Sequence, residues 1–262
     1  MSNLDITTLQ TDIFWEDKKA NLDTLAKKIK SIKEKTGIIV LPEMFNTGFS
    51  LNAEMFAETM DGETIYWMKD LAAEMKVILT GSIMIKENGN YFNRLLWVLP
   101  NKQLGYYDKR HLFAYSGEDE LFSKGNKRLI TSVNGWKILV QVCYDLRFPV
   151  WSRQQISDSG PEYDLLINVA NWPQSRNHAW ETLLVARAIE NQCYVVGVNR
   201  IGEDGNHISY NGNSMIIGPT GEQLYHVKNA EEIFTMTLDK EILEHTRKKY
   251  PFWKDGDRFF IQ

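Results

Sequence analysis

A chain of 262 residues, 43% hydrophobic and 24% charged, is long enough to bury a large core and short enough to be one domain, and its composition is neither disordered nor fibrous. Its formal net charge of -4 argues against a nucleic-acid partner, because polyanion binders carry a basic face. The one basic cluster, Arg247-Lys248-Lys249, reads as a solvated helix end.

The opening Met1-Ser2-Asn3-Leu4-Asp5 lacks the basic and apolar regions of a leader, and no apolar run approaches the roughly 20 residues of a membrane helix. A cytoplasmic location without a membrane partner is therefore expected. Leu4 to Leu9 alternates apolar and polar residues, which predicts a half-buried strand. Lys18 to Lys33 sets Leu22, Leu25, Ile29 and Ile32 at helical spacing. Gly37-Ile38-Ile39-Val40-Leu41 reads as a fully buried strand stopped by Pro42. Tyr66 to Met75 is a predicted helix and Val77 to Ile85 a strand. Asn88-Gly89-Asn90 turns that strand into Tyr91–Leu99, a hairpin. Trp136 to Val142 is another strand, followed closely by a helix over Phe148 to Ile156. Leu165 to Ala170 is a strand, Trp180 to Asn191 a helix, and Tyr194 to Asn199 a strand. Asn213–Ile217 and Gln223–Val227 flank the turn Gly218-Pro219-Thr220-Gly221. Ile233–Leu238 is the last core strand, and Asp239 caps a final short helix. Without a repeat or linker, one α/β domain over residues 1–262 is expected, its strands sandwiched between layers of helices.

The chain has two cysteines, Cys143 and Cys193, too few for a disulfide scaffold, so both are expected as reduced thiols. Cys193 begins an apolar strand and reads as core. Cys143 closes the strand Ile138-Leu139-Val140-Gln141-Val142, and Tyr144 to Pro149 turns the chain toward the predicted helix. That placement puts a thiol near a helix N-terminus, where the dipole favours thiolate, and leaves the Tyr144 N–H free to face an oxyanion. Its ordinary alternative is a buried structural cysteine. Glu43 follows Val40-Leu41-Pro42, a position expensive to bury without a partner; its alternative is a rim carboxylate facing water. Lys109 sits in the charged run Tyr106 to Phe113, and Glu118 is one of three acids in Ser116-Gly117-Glu118-Asp119-Glu120. Singly, both read as solvated.

Together these residues supply what amide hydrolysis needs. Cys143 would attack the carbonyl carbon. Glu43 would take the thiol proton, pass it to departing ammonia and then activate water. Lys109 would favour the thiolate and share the oxyanion with the Tyr144 N–H, and Glu118 would orient Lys109 or the substrate amide.

Three blocks, Leu41-Pro42-Glu43-Met44-Phe45, Tyr107-Asp108-Lys109-Arg110-His111-Leu112-Phe113 and Val142-Cys143-Tyr144-Asp145-Leu146-Arg147-Phe148-Pro149, resemble the signature blocks of the nitrilase superfamily (carbon–nitrogen hydrolases) in order and interval. The resemblance runs from the first strand to about Trp253. It implies a four-layer α-β-β-α sandwich, a Glu–Lys–Cys triad at Glu43, Lys109 and Cys143, and a second glutamate. Glu118, ahead of Lys124-Gly125-Asn126, matches that second place best, with Glu120 close by. It also implies a homodimer or higher homo-oligomer and no metal or organic cofactor. Val169-Ala170-Asn171-Trp172-Pro173 and Arg187-Ala188-Ile189-Glu190-Asn191-Gln192, with the cysteine block, look like the omega-amidase branch, whose members hydrolyse 2-oxoglutaramate and 2-oxosuccinamate to the 2-oxo diacid and ammonia. True nitrilases and carbamoyl-amide hydrolases share the triad and are the rival substrate classes.

A 2-oxo dicarboxylate monoamide carries a carboxylate, so its pocket needs cations or N–H donors. Arg147 and Arg176 are the candidates; for Arg147 a structural ion pair with Asp145 or with acids on the Glu43 side stands as the alternative. Phe45, Phe113 and Trp172 are candidates to shape the pocket, with core packing as the ordinary job of each. His178 lacks the local signature of a papain-like partner, His111 reads as a structural hydrogen-bonding residue, and the five histidines show no metal-ligand spacing. Gly202-Glu203-Asp204-Gly205-Asn206 is a loop and no phosphate cradle. The rival from another class is a non-catalytic binding or assembly module on the same fold.

Overall fold

A computed structural model of the chain describes residues 3–157 and 160–261; the Met1-Ser2 pair on which the leader expectation drew lies outside them. The chain runs through β1 (Leu4–Gln10), α1 (Lys18–Lys30), β2 (Ile38–Val40), α2 (Ala53–Phe56), α3 (Glu63–Met75), β3 (Ile78–Glu87), β4 (Asn90–Val98) and β5 (Leu104–Asp108). It continues with α4 (Glu118–Leu121), β6 (Leu129–Val133), β7 (Trp136–Val142), α5 (Pro149–Ser152), the small ribbon β8 (Ile156–Ser157) and β9 (Gly160–Pro161), β10 (Leu165–Val169) and α6 (Asn177–Asn191). Last come β11 (Tyr194–Val198), β12 (Ile201–Glu203), β13 (Ser209–Ile217), β14 (Gln223–Lys228), β15 (Glu232–Leu238) and α7 (Lys240–Lys249).

Two sheets result, one ordered β15-β1-β2-β3-β4-β5 and the other β12-β13-β11-β10-β7-β6, with β14 paired to β13. Each has a parallel centre: β1, β2 and β3 in the first, β7, β10 and β11 in the second. Parallel strands covered on both faces read as near-continuous apolar runs, which is why Ile38-Ile39-Val40 and Leu165 to Val169, interrupted by the buried Asn168, are legible. Between the sheets, Ile6, Ile38, Val40, Leu95 and Trp97 pack in one core with Ile138, Val140, Leu165, Ile167 and Val196. On the outer face of the first sheet, Leu22, Leu25 and Ile29 of α1 and Ile65, Met68 and Leu71 of α3 cover Ile39, Leu41 and Leu79. On that of the second, Trp180, Leu184 and Ala188 of α6 cover Leu139, Leu166 and Val195. The layers are therefore α-β-β-α, as expected.

Local signals hold at several ends. Asn88 and Gly89 take positive φ of 50° and 78° between β3 and β4, the backbone of a primed hairpin turn. The Asp239 side chain accepts from the Glu241 and Ile242 N–H groups and caps α7.

The helix expected over Phe148 to Ile156 does not form. Cys143–Arg147 is a 3-10 turn, α5 is a single turn, and Arg153 is already extended. Tertiary hydrogen bonds draw the chain away there: Gln154 N–H donates to Asn191 Oδ1 at 3.0 Å and its Nε2 to the Asn191 carbonyl at 2.5 Å. The edge strand β5 takes in the first residues, Tyr106 to Asp108, of the run that reads as a charged turn. It pairs with β4, Leu95 opposite Tyr107. No helix among the described residues is long and apolar enough to cross a membrane.

Candidate active site

The carboxyl ends of parallel strands of both sheets, and of the edge strand β5, open on one region. Glu43 follows β2, Lys109 follows β5, Cys143 follows β7, Asn171 follows β10 and Asn199 follows β11. Such ends collect functional groups because the backbone there leaves the sheet and side chains face a crevice.

Glu43, Lys109 and Glu118 are all buried. Lys109 Nζ donates to Glu43 Oε1 at 2.9 Å and to Glu118 Oε2 and Oε1 at 2.8 and 3.1 Å. Asn93 Nδ2 donates to Glu43 Oε1 at 2.8 Å and to Glu118 Oε1 at 3.2 Å. Glu43 Oε2 accepts from the Asn171 N–H at 2.8 Å, and Glu118 Oε2 from the Phe113 N–H at 2.6 Å. The solvated readings of Glu43, Lys109 and Glu118 are thereby overturned, since each charge is sealed from water and paired. Glu120 remains exposed, so the carboxylate at the lysine is Glu118.

Burial works against the Lys109 charge, yet Glu118 and Glu43 hold its ammonium well above the ordinary lysine range. Burial pushes the Glu118 carboxyl up, against the pull of Lys109, and Glu43 adds to the rise. One cation and two carboxylates leave this sealed cluster with a net negative charge, which suits it to receive a proton.

Cys143 is partly exposed at the floor of a cavity of about 300 Å³. Its Sγ is 4.0 Å from the Asn171 carbonyl, and its φ is +46°, a left-handed backbone uncommon outside glycine. Burial, then the Glu43 charge, push the Cys143 thiol well above its usual range, while Lys109 pulls it down. This corrects the expectation of a thiol activated by a helix dipole: only short turns follow Cys143, and a macrodipole needs a helix of some length. The thiol rests protonated, with a carboxylate beside it to take the proton and an ammonium beside it to favour the anion.

Of the expected pocket residues, Phe113, Tyr144, Arg147, Trp172 and Arg176 line the cavity, and Phe45 does not. Phe45 is buried in the helix-covered core, its ring 5.9 Å from Trp67 and packed against Gly81. Phe49 takes the place foreseen for it, with Leu51 beside it. Arg147 makes no ion pair with Asp145; its guanidinium stacks over Trp172 at 4.8 Å, and that of Arg176 over Phe113 at 5.2 Å. No described carboxylate forms a salt bridge with either. Asp145 bonds instead to Tyr107, His111 and Val142.

Asn93, Asn171 and Asn199 were not singled out. Asn171 Nδ2 donates to the Glu43 carbonyl at 2.5 Å, and Asn199 exchanges hydrogen bonds with both backbone groups of Trp172. Asn171 and Asn199 follow buried strands, so the strand-end signal that marked Glu43 and Cys143 was present for them as well. Asp204 and Tyr210, joined at 2.9 Å, complete the far wall. Cys193 is buried in the core as expected. Among the described residues, no group of three or more His, Cys, Asp and Glu could hold a metal ion.

A model of the carbon-nitrogen hydrolase family matches residues 5–248. Omega-amidase YafV of Yersinia enterocolitica is 41% identical over 262 residues, all of both chains. The 2-oxoglutaramate amidase of Bacillus subtilis (strain 168) is 30% identical, covering 95% of this chain and 96% of its own. Among solved structures, XC1258 from Xanthomonas campestris, described as a CN-hydrolase superfamily protein with an arsenic adduct in the active site, has a TM-score of 0.98 at 40% identity over the whole of both chains.

Proposed function

Because this chain belongs to the carbon-nitrogen hydrolase family, we propose that it is an omega-amidase, releasing ammonia from the terminal amide of a small 2-oxo dicarboxylate monoamide such as 2-oxoglutaramate or 2-oxosuccinamate. The observation that carries this reading is the cluster of Glu43, Lys109 and Glu118, closed to water behind a thiol that faces a cavity. The full-length relatives named for omega-amidase and 2-oxoglutaramate amidase activity support the same substrate class.

The reaction starts with the amide carbonyl carbon over Cys143. Glu43 takes the thiol proton as sulfur bonds to carbon, and the carbonyl oxygen becomes an oxyanion. The Lys109 ammonium and the Tyr144 N–H receive that charge; the first N–H groups of a helical turn have no partner within it. Glu43 returns the proton to the nitrogen, the carbon–nitrogen bond breaks, and ammonia leaves a thioester. Glu43 then takes a proton from water, hydroxide adds to the thioester, and the thiol leaves reprotonated with the carboxylic product. Glu118 holds the ammonium in place and fixes the Phe113 backbone at the cavity wall. Arg147 and Arg176 meet the substrate carboxylate, the anion that these two guanidiniums otherwise lack. We place the enzyme in the cytoplasm as a homodimer or larger homo-oligomer.

Ammonia release from 2-oxoglutaramate, 2-oxosuccinamate, N-carbamoyl amino acids and simple nitriles tests the substrate class. The two 2-oxo amides are expected to react with the highest kcat/KM, and preference for a nitrile or carbamoyl compound would move the protein to another branch. Cys143→Ala is expected to abolish turnover while melting like the parent protein. Ammonia release retained by that variant would remove the nucleophile, and a chain silent on every compound would be a binding module.

A further inference from the structure

One fully buried carboxylate beside the reacting groups has no part in the steps above. Asp145 accepts four hydrogen bonds: Oδ2 from Tyr107 Oη at 2.7 Å and the Val142 N–H at 3.1 Å, Oδ1 from the His111 N–H at 2.9 Å and His111 Nδ1 at 2.8 Å. An ionised carboxylate only accepts, so His111 carries a hydrogen on Nδ1. The donors come from two segments distant in sequence. Tyr107 and His111 stand two residues either side of Lys109, and Val142 immediately precedes Cys143. The single carboxylate therefore joins the stretch that carries the ammonium to the turn that carries the thiol.

Both anchors are themselves held. Tyr107 Oη accepts from Trp151 Nε1 at 2.8 Å and from the Arg110 N–H at 3.2 Å. The His111 ring stacks on Phe148 with centroids 3.8 Å apart. The turn also carries strain, since Cys143 sits at φ +46°, and a non-glycine residue stays there only where its surroundings over-determine it. The bond from Val142 N–H to Asp145 closes the entrance to that turn.

We propose that Asp145 is a positioning residue that sets the approach of the Lys109 ammonium to the Cys143 sulfur by clamping both segments onto one carboxylate. The proposal rests on the roles given above to Cys143 and Lys109. Its chemistry is specific to a carboxylate. Asparagine has the same shape but offers one acceptor oxygen, and its NH₂ would confront two of the four donors. One side of the clamp then opens without any change in side-chain volume.

The test compares Asp145→Asn and Tyr107→Phe with the parent enzyme by thermal melting, steady-state ammonia release, and iodoacetamide alkylation of Cys143 against pH, with the labelled peptide identified by mass. Asp145→Asn is expected to lose about 100-fold in kcat, the scale of a misplacement of about 1 Å. KM should stay within about threefold, because substrate contacts are untouched. The alkylation profile should move to higher pH, since the thiolate loses its neighbouring cation. Tyr107→Phe removes one donor of the four and should move both readouts the same way by a smaller factor, about 5- to 10-fold in kcat; if Asp145→Asn does not fold, this variant decides. A folded variant with parental kcat, or with an unmoved alkylation profile, overturns the proposal. Retained turnover in Cys143→Ala would instead overturn the nucleophile assignment, and the alkylation profile would still report on the clamp.

Discussion

Lys109 Nζ lies 2.8 Å from Glu118 Oε2, and neither side chain reaches solvent. Removing one member of a buried pair leaves the other charge uncompensated, while an isosteric amide keeps the shape and loses the charge. Glu118→Gln is therefore expected to fold and to lose kcat by about 10²–10³, the range seen when a group serving transition-state charge is lost. Glu120→Gln, changed at an exposed position, is expected to remain within about twofold of the parent. Equal activity in the two variants, measured by ammonia release, would remove the role assigned to Glu118.

Arg147 and Arg176 hold their guanidiniums against Trp172 and Phe113 without a carboxylate partner. Each charge-assisted bond to a substrate carboxylate is worth about 1.5–3 kcal/mol, or roughly 10- to 100-fold in affinity. Arg147→Met and Arg176→Met are expected to raise KM for 2-oxoglutaramate on that scale and to leave kcat/KM for an uncharged short-chain amide nearly unchanged. A parallel loss on both substrates would make these residues structural.

Gly125 presses on the end of β5. A Cβ there would stand 2.1 Å from the Asp108 carbonyl oxygen, and the Gly125 N–H donates to the Lys109 carbonyl at 2.9 Å. Gly125→Ala must push the Lys109 backbone away. Overpacking of this kind costs about 1–3 kcal/mol, and the displaced ammonium should lower kcat more than it raises KM. Denaturant unfolding together with steady-state kinetics checks both halves.

Burial pushes the Cys193 thiol up to about 12, whereas an unfolded cysteine ionises near ~8.5. Between those values the folded chain keeps a proton that the unfolded chain has released, so stability falls as pH rises. By about pH 10.5 this one group removes roughly 3 kcal/mol. Burial also raises Cys143, Tyr107 and Tyr163, which act in the same direction. The urea midpoint should therefore drop between about pH 8 and 10.5, and Cys193→Ala should shrink that drop. An identical drop in the variant would contradict the assignment.

Much of the fold was legible because burial leaves a local mark. Strands β2 and β10 are covered on both faces and are written as apolar runs, broken in β10 by Asn168 alone; α1 shows its buried stripe at Leu22, Leu25 and Ile29. The helix expected through Ile156 failed because Asn191, on α6, takes the hydrogen bonds of Gln154. Phe45 and Phe49 are alike as residues, and only packing against Gly81 and Trp67 sends the first into the core.

Residue order alone marked Glu43 and Cys143, since a charge or a thiol closing a buried strand breaks the local pattern. It set the three blocks in series, and with them the family and the reaction class. It left Lys109 and Glu118 looking solvated, because charged runs normally face water and nothing nearby in the chain differs. The three-dimensional fold decided otherwise by bringing residues 43, 93, 109 and 118 within hydrogen-bonding distance. It also withdrew the helix dipole from Cys143 and put a carboxylate and an ammonium in its place. The physical reason is that sealing an ion from water is tolerable only beside its counter-ion, and here Lys109 meets one in Glu43, 66 residues away, and another in Glu118, nine residues on at the start of α4.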